Sequence, residues 1–530
     1  MFALAILVGI YSYLILGLGI LGLLYSSAIL IVSVVFVITA YLYFKGKPED
    51  FPRINLRNKN LRPLLFLFLL LAGVNLIGAL GPELSFDALW YHLTLPKIFL
   101  ESRSIDFISG GLFYYSVMPK LSEMLFIPGL VFGNEVIPKL TQWIFGILTS
   151  IVIYKISRRY FDEKLSIIGS LIFYGSLVVA WESTTAYVDL IRTFFEVMAL
   201  WGFLIWFEKK DRKWLVESAI MLGLAISTKL IAIGSLLIFA VVMIYVFTNN
   251  KRYIKQFITN IHVYMYISIF ISFPWFAYAF LTTGNPLYPI FSDYFPVGFS
   301  ADLLNPINLL RDFFILFFRA PDPISPIYAI VLPLAFVMFG KFNKQQRVIG
   351  IYCLLALIVW YFIPRTGGGR FFLPYLPAFS ILTITVLANI RQIALRKYII
   401  SLVIFVSLIT AIYRGIANAK FVPVILGTQT KNDFLTKNLN FNYGDFYDTD
   451  GWFDRSIKDS DKVLLYGFHN LYYVNFPFIH ESYVKKGDRF NYIATQNTEI
   501  PKRFSYWQLI YENNLTNVKL YSLKGIMWTY

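Results

Sequence analysis

Charge is scarce in this chain: of its 530 residues only 15% are Asp, Glu, Lys or Arg, against about 25% in an ordinary soluble domain. So little charge cannot cover a composition that is 57% hydrophobic and 18% aromatic without leaving broad apolar patches in water. An ordinary soluble enzyme is therefore excluded. Cysteine is nearly absent as well, with Cys353 alone, so no internal disulfide can form. Histidine is limited to His92, His262, His469 and His480, and none of these stands at the spacing of a zinc-ligand pair. Acidic residues are the minority charge, 31 against 47 Lys and Arg, for a net charge of +16. In a soluble protein that surplus would suggest nucleic acid, whereas in a polytopic membrane protein it orients the helices, because Lys and Arg collect in cytoplasmic loops.

What the chain does have is long apolar runs, with a mean hydropathy of +0.62. No charged side chain precedes Lys45. One helix of that length would run about 65 Å, about twice the hydrocarbon core of a bilayer, so the run must fold back near Gly19–Gly22 and Tyr25–Ser27 into helices at about 2–22 and 27–44. A cleaved signal peptide would need a basic stretch before the apolar run, and there is none. Further apolar spans fall near 63–80, 137–154, 165–181, 187–207, 214–228, 230–248, 259–281, 327–340, 347–363, 371–390 and 398–415, about thirteen in all. With the basic segment 45–62 placed in the cytoplasm, the inner turns of this alternation should be basic. The turns at 155–164, 209–213, 251–255, 341–347 and 391–397 all are.

An odd count with a cytoplasmic N-terminus puts the C-terminal region outside. The expectation is an all-α polytopic membrane protein, integral to a plasma membrane of prokaryotic type. Residues 1–417 would form the transmembrane domain, with outer loops at 81–136 and 282–326. Residues 418–530 would form a small α/β extracytoplasmic domain, since charges of both signs and Asn-, Asp- and Gly-rich turns appear there. Segments 462–467, 491–494 and 518–521 read as strands, and 504–512 as a helix.

The chemistry-bearing residues gather on the predicted outer side. Asp87 lies in the first outer loop, where it would share a helix face with Tyr91 at i, i+4. A carboxylate at the membrane rim suits a general base, while a plain helix N-cap is the alternative reading. Asp189 sits at the outer end of an apolar span, where a carboxylate is expensive and marks either a site or an interhelical hydrogen bond. Lys229, at an outward turn, would snorkel to headgroups or bind an anion. The segment 364–370 carries Arg365 and Arg370 on either side of a triple glycine. That arrangement suits a phosphate clamp or anchoring to lipid phosphate.

The motifs Phe86-Asp87-Ala-Leu-Trp-Tyr91-His92-Leu-Thr-Leu-Pro96, Tyr187-Val-Asp189, Ser227-Thr-Lys229, Gly284-Asn-Pro286 and Arg370-Phe-Phe-Leu-Pro374 come in an order that resembles the GT-C class of polyprenyl-phosphate-sugar-dependent glycosyltransferases. The resemblance spans roughly 60–400 and lies near the protein O-mannosyltransferases and lipid A aminoarabinose transferases. It implies transfer of a sugar, with inversion, from a polyprenyl-phosphate donor to a protein, lipid or glycan acceptor at the outer face. Asp87 would be the base or acceptor-orienting acid. Ala88 follows Asp87 where the mannosyltransferases carry a second acid, which points to Asp189 as the other carboxylate. Lys120 falls where relatives place a lysine near the carrier phosphate, and His92 is open between phosphate contact and helix packing. A divalent metal bridging phosphate and carboxylate is compatible with these residues but not demanded by them. Two rivals remain. A transporter or flippase of lipid-linked sugars would carry its ionisable groups near mid-membrane. A lipid-linked oligosaccharide polymerase or ligase would need an arginine-rich outer loop, and 282–326 offers only Arg311 and Arg319.

Overall fold

The computed structural model describes residues 1–45, 57–131, 133–248, 254–295, 301–319, 322–362, 367–524 and 526–530. Its helices are α1 (Phe2–Ile20), α2 (Ser26–Phe44), α3 (Arg62–Leu80), α4 (Thr94–Ser102), α5 (Leu121–Leu130), α6 (Val136–Ser157), α7 (Glu163–Tyr174), α8 (Leu177–Glu182) and α9 (Asp189–Lys209). They continue as α10 (Arg212–Thr228), α11 (Ile233–Thr248), α12 (Ile254–Thr283), α13 (Pro306–Phe318), α14 (Ile327–Met338), α15 (Lys344–Phe362), α16 (Gly368–Phe372), α17 (Leu376–Asn389) and α18 (Ile393–Ala419).

Helix is what lipid demands of such runs, because only intrasegment hydrogen bonds satisfy the backbone away from water. Among the described residues ten helices are long and apolar enough to cross a membrane. The other three apolar stretches, at 165–181, 214–228 and 327–340, are also helical but shorter. The first is broken into α7 and α8 around Gly175, and the others are α10 and α14. The turns before α7 and α10 are held by local caps: the Asp162 carboxylate accepts the Leu165 N–H at 2.8 Å, and Asp211 accepts the Lys213 N–H at 2.9 Å. Burial ranks the helices. In the most apolar stretches of α9 and of Gly368–Asn389, 89% of the residues are buried, which puts them at the centre, whereas in α2 only 6% are, so that helix lies at the rim with nearly every side exposed.

Beyond α18 the chain forms a small mixed sheet. Its strands are β1 (Val463–Tyr466), β2 (Phe478–His480), β3 (Arg489–Phe490), β4 (Tyr492–Gln496), β5 (Gln508–Asn513), β6 (Val518–Ser522) and β7 (Trp528–Thr529). The five-stranded order is β2-β1-β4-β6-β5, with β1 parallel to both neighbours and the β4-β6-β5 side antiparallel. The helix expected at 504–512 is not there: a short turn at Lys502–Phe504 leads into β5. Leu509, Ile510 and Tyr511 are good strand formers. Pairing with β6 along the sheet edge outweighs a helical pattern that had no core to bury its face against.

The sheet domain is docked onto the segment between α3 and α6. Lys97, on α4, donates from Nζ to the Tyr472 carbonyl at 3.0 Å, the Val474 carbonyl at 2.5 Å and Asn475 Oδ1 at 3.0 Å. The Tyr473 hydroxyl donates to the Glu83 carbonyl at 2.9 Å, and Lys431 pairs with Glu135 at 2.7 Å. Replacing Lys97 by Met keeps the stem but strands these acceptors, a loss of about 1–3 kcal/mol. The expected outcome is faster proteolytic release of the tail domain from the purified variant than from wild type, with the helical circular dichroism unchanged.

Candidate active site

The connection between α3 and α4 is fixed at once on leaving α3. The buried Lys139 ammonium donates to the Gly81 and Pro82 carbonyls at 2.7 and 3.0 Å. The buried Glu83 carboxylate accepts the Leu84 and Ser85 N–H groups, both at 2.8 Å, and the Ala186 N–H at 2.5 Å. These bonds staple the loop to the turn between α8 and α9. Asp87 follows at the head of a wide, π-helical turn over Ala88–His92 and makes no side-chain cap, which removes the N-cap reading. Its backbone N–H donates to the Tyr187 hydroxyl at 3.3 Å, and its Oδ2 accepts from the Tyr91 hydroxyl at 3.3 Å.

The carboxylate's main partner comes from the far end of the sequence. Arg370 Nη1 lies 2.5 Å from Asp87 Oδ2, and its Nε lies 3.0 Å from Asp189 Oδ2. The other Asp189 oxygen accepts from Lys229 Nζ at 2.8 Å. Lys229 therefore neither snorkels nor stands free; it is turned inward against Asp189, with its ammonium 4.6 Å from the Phe371 ring centroid. Arg370 also lies 4.0 Å from the Tyr187 ring centroid and 3.4 Å from a Glu182 oxygen. Its Nη2 is buried without a hydrogen-bond partner among the described residues. Burial works to raise the Asp87 carboxyl, but the Arg370 guanidinium, with His92 and Lys229 behind it, holds it below the usual carboxylate range.

The glycines before Arg370 set its position. A Cβ on Gly369 would stand 1.9 Å from the Asp322 carbonyl oxygen, so only glycine lets the two backbones meet, and Gly368 takes a left-handed φ of 56°. The approach lets Asp322 Oδ2 accept the Arg370 N–H at 2.8 Å. Arg365, the other arginine of that segment, lies outside the described residues.

A second tier surrounds this centre. His92 Nδ1 and Glu123 Oε1 are 2.8 Å apart and both side chains are buried, while His92 Nε2 has no partner among the described residues. Lys120 is buried with its ammonium 6.0 Å from the Tyr91 ring centroid, and burial pushes that amine down to about 8. No three His, Cys, Asp or Glu side chains converge as metal ligands among the described residues.

Asp87, Tyr91, Asp189, Lys229 and Arg370 are thus brought into one cluster, with His92 and Lys120 beside Tyr91. Sequence reasoning did not single out Asp322, Glu182 or the deeper pair Arg192–Glu196. Asp322 sits in a proline-rich stretch that reads as a plain turn. Arg192 and Glu196 did leave a signal, as opposite charges at i, i+4 within an apolar span. Arg192 Nη2 lies 3.0 Å from Glu196 Oε1, and Ser235 and Tyr375 join them in a buried network.

The model of the dolichyl-phosphate-mannose-protein mannosyltransferase family matches residues 130–278. The fold is similar over most of its length to ArnT from Cupriavidus metallidurans bound to undecaprenyl phosphate, with a TM-score of 0.59 at 12% identity, covering 87% of this chain and 98% of that one. The chain has the GT-C glycosyltransferase fold. The apo state of the same ArnT gives a TM-score of 0.57 at 13% identity, over 88% of this chain and 98% of that one. No curated protein matches by sequence. The GT-C likeness and the apolar helices together make this an integral, multi-pass membrane protein.

In this GT-C chain Asp189 is the carboxylate whose loss would strand two buried cations. Asp189→Asn is expected to lower stability by about 3–5 kcal/mol, read as thermal unfolding in detergent. Combining Asp189→Leu with Lys229→Met should recover part of the loss relative to Asp189→Leu alone.

Proposed function

We propose that the chain transfers a sugar from a polyprenyl-phosphate-linked donor to an acceptor hydroxyl at the outer face of the membrane, with inversion. The observation that carries this reading is the shared guanidinium of Arg370, held between Asp87 and Asp189 where the outer loop meets the central helices. A lipid-linked donor keeps its chain in the bilayer and its phosphate at the rim. It therefore calls for a cation at that depth with a free donor, and for a carboxylate that can meet an incoming hydroxyl. Arg370 Nη2 is such a donor, and Asp87 is such a carboxylate. The undecaprenyl phosphate bound to the structurally similar ArnT supports a donor of this kind here.

In the proposed reaction the donor phosphate engages Arg370 and Lys120 and draws the guanidinium away from Asp87. The freed carboxylate takes the proton of the acceptor hydroxyl. The acceptor oxygen bonds to the anomeric carbon as the bond from that carbon to the phosphate oxygen breaks, and the electron pair leaves with the polyprenyl phosphate. Arg370 and Lys120 stabilise the charge that develops on the leaving phosphate. Asp189 and Lys229 position Arg370, and His92 with Glu123 supports the Tyr91 turn. In this reading the chain divides into a transmembrane catalytic domain at 1–417 and an extracytoplasmic domain at 418–530, with the N-terminus in the cytoplasm.

Release of polyprenyl phosphate from labelled polyprenyl-phosphate sugars in vesicles tests the role of Asp87. The Asp87→Asn variant should be slower by about 10²–10⁴-fold, and equal release at matched expression would overturn it. The amine of Lys120, at about 8 in the free protein, carries charge below that pH and loses it as pH rises through it. Undecaprenyl phosphate binding should therefore weaken as pH climbs above about 8, and Lys120→Met should flatten that decline.

A further inference from the structure

Arg414 is a buried arginine that no carboxylate meets among the described residues. It stands five residues before the end of α18 and is 8% exposed. Its Nη2 donates to Thr184 Oγ1 and to Asn418 Oδ1, each at 2.9 Å. Its Nε is buried without a partner, while Nη1 makes no hydrogen bond among the described residues and is not enclosed. Lys420 follows six residues on, exposed at the end of the helix. The neighbouring charge that bears on it is the Arg414 guanidinium itself, of like sign. The two cations lie away from the Arg370 cluster, since neither is among the charges that act most on Asp87 or Asp189.

Depth and surroundings decide what this pair faces. Lys397, exposed at the other end of α18, stands seventeen residues before Arg414, about 26 Å along the axis and so close to one hydrocarbon thickness. Arg414 therefore lies at headgroup depth, in the leaflet on the sheet-domain side. A snorkelling arginine would extend along its helix into water, whereas this one is turned sideways against Thr184, in the turn between α8 and α9. Gly78 on α3 makes room for that: a Cβ there would stand 2.6 Å from the Thr184 side chain and 2.9 Å from that of Asn418. A neutral side chain could tie the helix to this turn just as well, and burying a cation without a counter-charge is costly. Asn418 Nδ2 donates to the Val74 carbonyl at 2.8 Å and so holds α18 against α3. Tyr413 and Ile416 on α18 and Ile77 and Leu80 on α3 are exposed, which gives acyl chains apolar surface on both helices.

We propose that Arg414 and Lys420 form a binding site for the phosphodiester of an anionic phospholipid, seated where α3 and α18 meet on the sheet-domain side of the membrane. Arg414 Nη1 donates to one phosphate oxygen and the Lys420 ammonium approaches another. Two cations without an acid favour a headgroup of net negative charge over a zwitterionic one, whose own amine they repel. The bound lipid supplies the counter-charge that the chain withholds from Arg414. The guanidinium that binds it is held by the same turn that carries Ala186 and Tyr187, the partners of Glu83 and of the Asp87 N–H.

The test is native mass spectrometry of the full-length protein in detergent after incubation with phosphatidylglycerol, phosphatidylcholine or undecaprenyl phosphate. Wild type should hold a phosphatidylglycerol more tightly than any phosphatidylcholine, and excess undecaprenyl phosphate should not displace it. Arg414→Gln and Lys420→Gln should each weaken that retention about tenfold, the loss expected for one charge-assisted bond. Lys397→Gln, which removes a charge of the same sign from the opposite end of the helix, should leave it unchanged. Lys420 is exposed, so its replacement leaves the fold intact and keeps the test open if Arg414→Gln fails to fold. Equal retention of the two phospholipids would overturn the proposal, as would a loss in Lys397→Gln equal to that in Lys420→Gln, no loss in Lys420→Gln, or displacement by undecaprenyl phosphate.

Discussion

The site depends on one guanidinium shared between two carboxylates. Arg370 reaches Asp87, between α3 and α4, with one nitrogen and Asp189 at the start of α9 with another. Three parts of the sequence are thereby held in register by a planar fork whose charge cannot be titrated away. Lys229 balances the second carboxylate, so the four groups carry two positive and two negative charges. A buried set of this kind is stable only as a whole, since removal of any one member leaves an uncompensated charge in a low-dielectric setting. The same balance means that an added anion would disturb it, and the carboxylate least deeply held is Asp87, the most exposed member of the set.

Much of the device that holds Arg370 in place is backbone rather than side chain. The Gly369 contact with Asp322 and the bond from the Trp360 indole N–H to the Gly368 carbonyl at 3.0 Å fix the segment before α17. Five residues on, Tyr375 enters the buried network with Arg192, Glu196 and Ser235. The cation that faces the proposed donor is thus braced from the bundle interior, the most deeply buried part of the helical region.

The membrane fold was legible in the sequence because lipid imposes long uninterrupted apolar runs, and each of the expected spans falls on helix. Asp87, Asp189, Lys229 and Arg370 were legible for the same reason: ionisable side chains at the ends of apolar spans stand out. Their pairing was not. Asp87 and Arg370 are 283 residues apart, and neither periodicity nor local spacing carries information over that distance. Lys229 could be read as a lipid anchor because only the packing of α9 against α10 reveals that it turns inward. The tail domain's β1, β4 and β6 were visible as short β-branched and aromatic runs. The edge strand β5 was mistaken for helix because its side chains are largely exposed and no alternation of burial marks it.

The docking of the tail onto the segment after α3 bears on how the protein is made. Lys97 finds its carbonyl partner Tyr472 at a separation of 375 residues, and the Tyr473 hydroxyl meets Glu83 at 390. The helices can settle as they emerge, but these contacts cannot form until the tail has been synthesised and folded. A nascent chain therefore completes its charge cluster, whose last member is Arg370, before the segment that carries Asp87 is fastened to the tail.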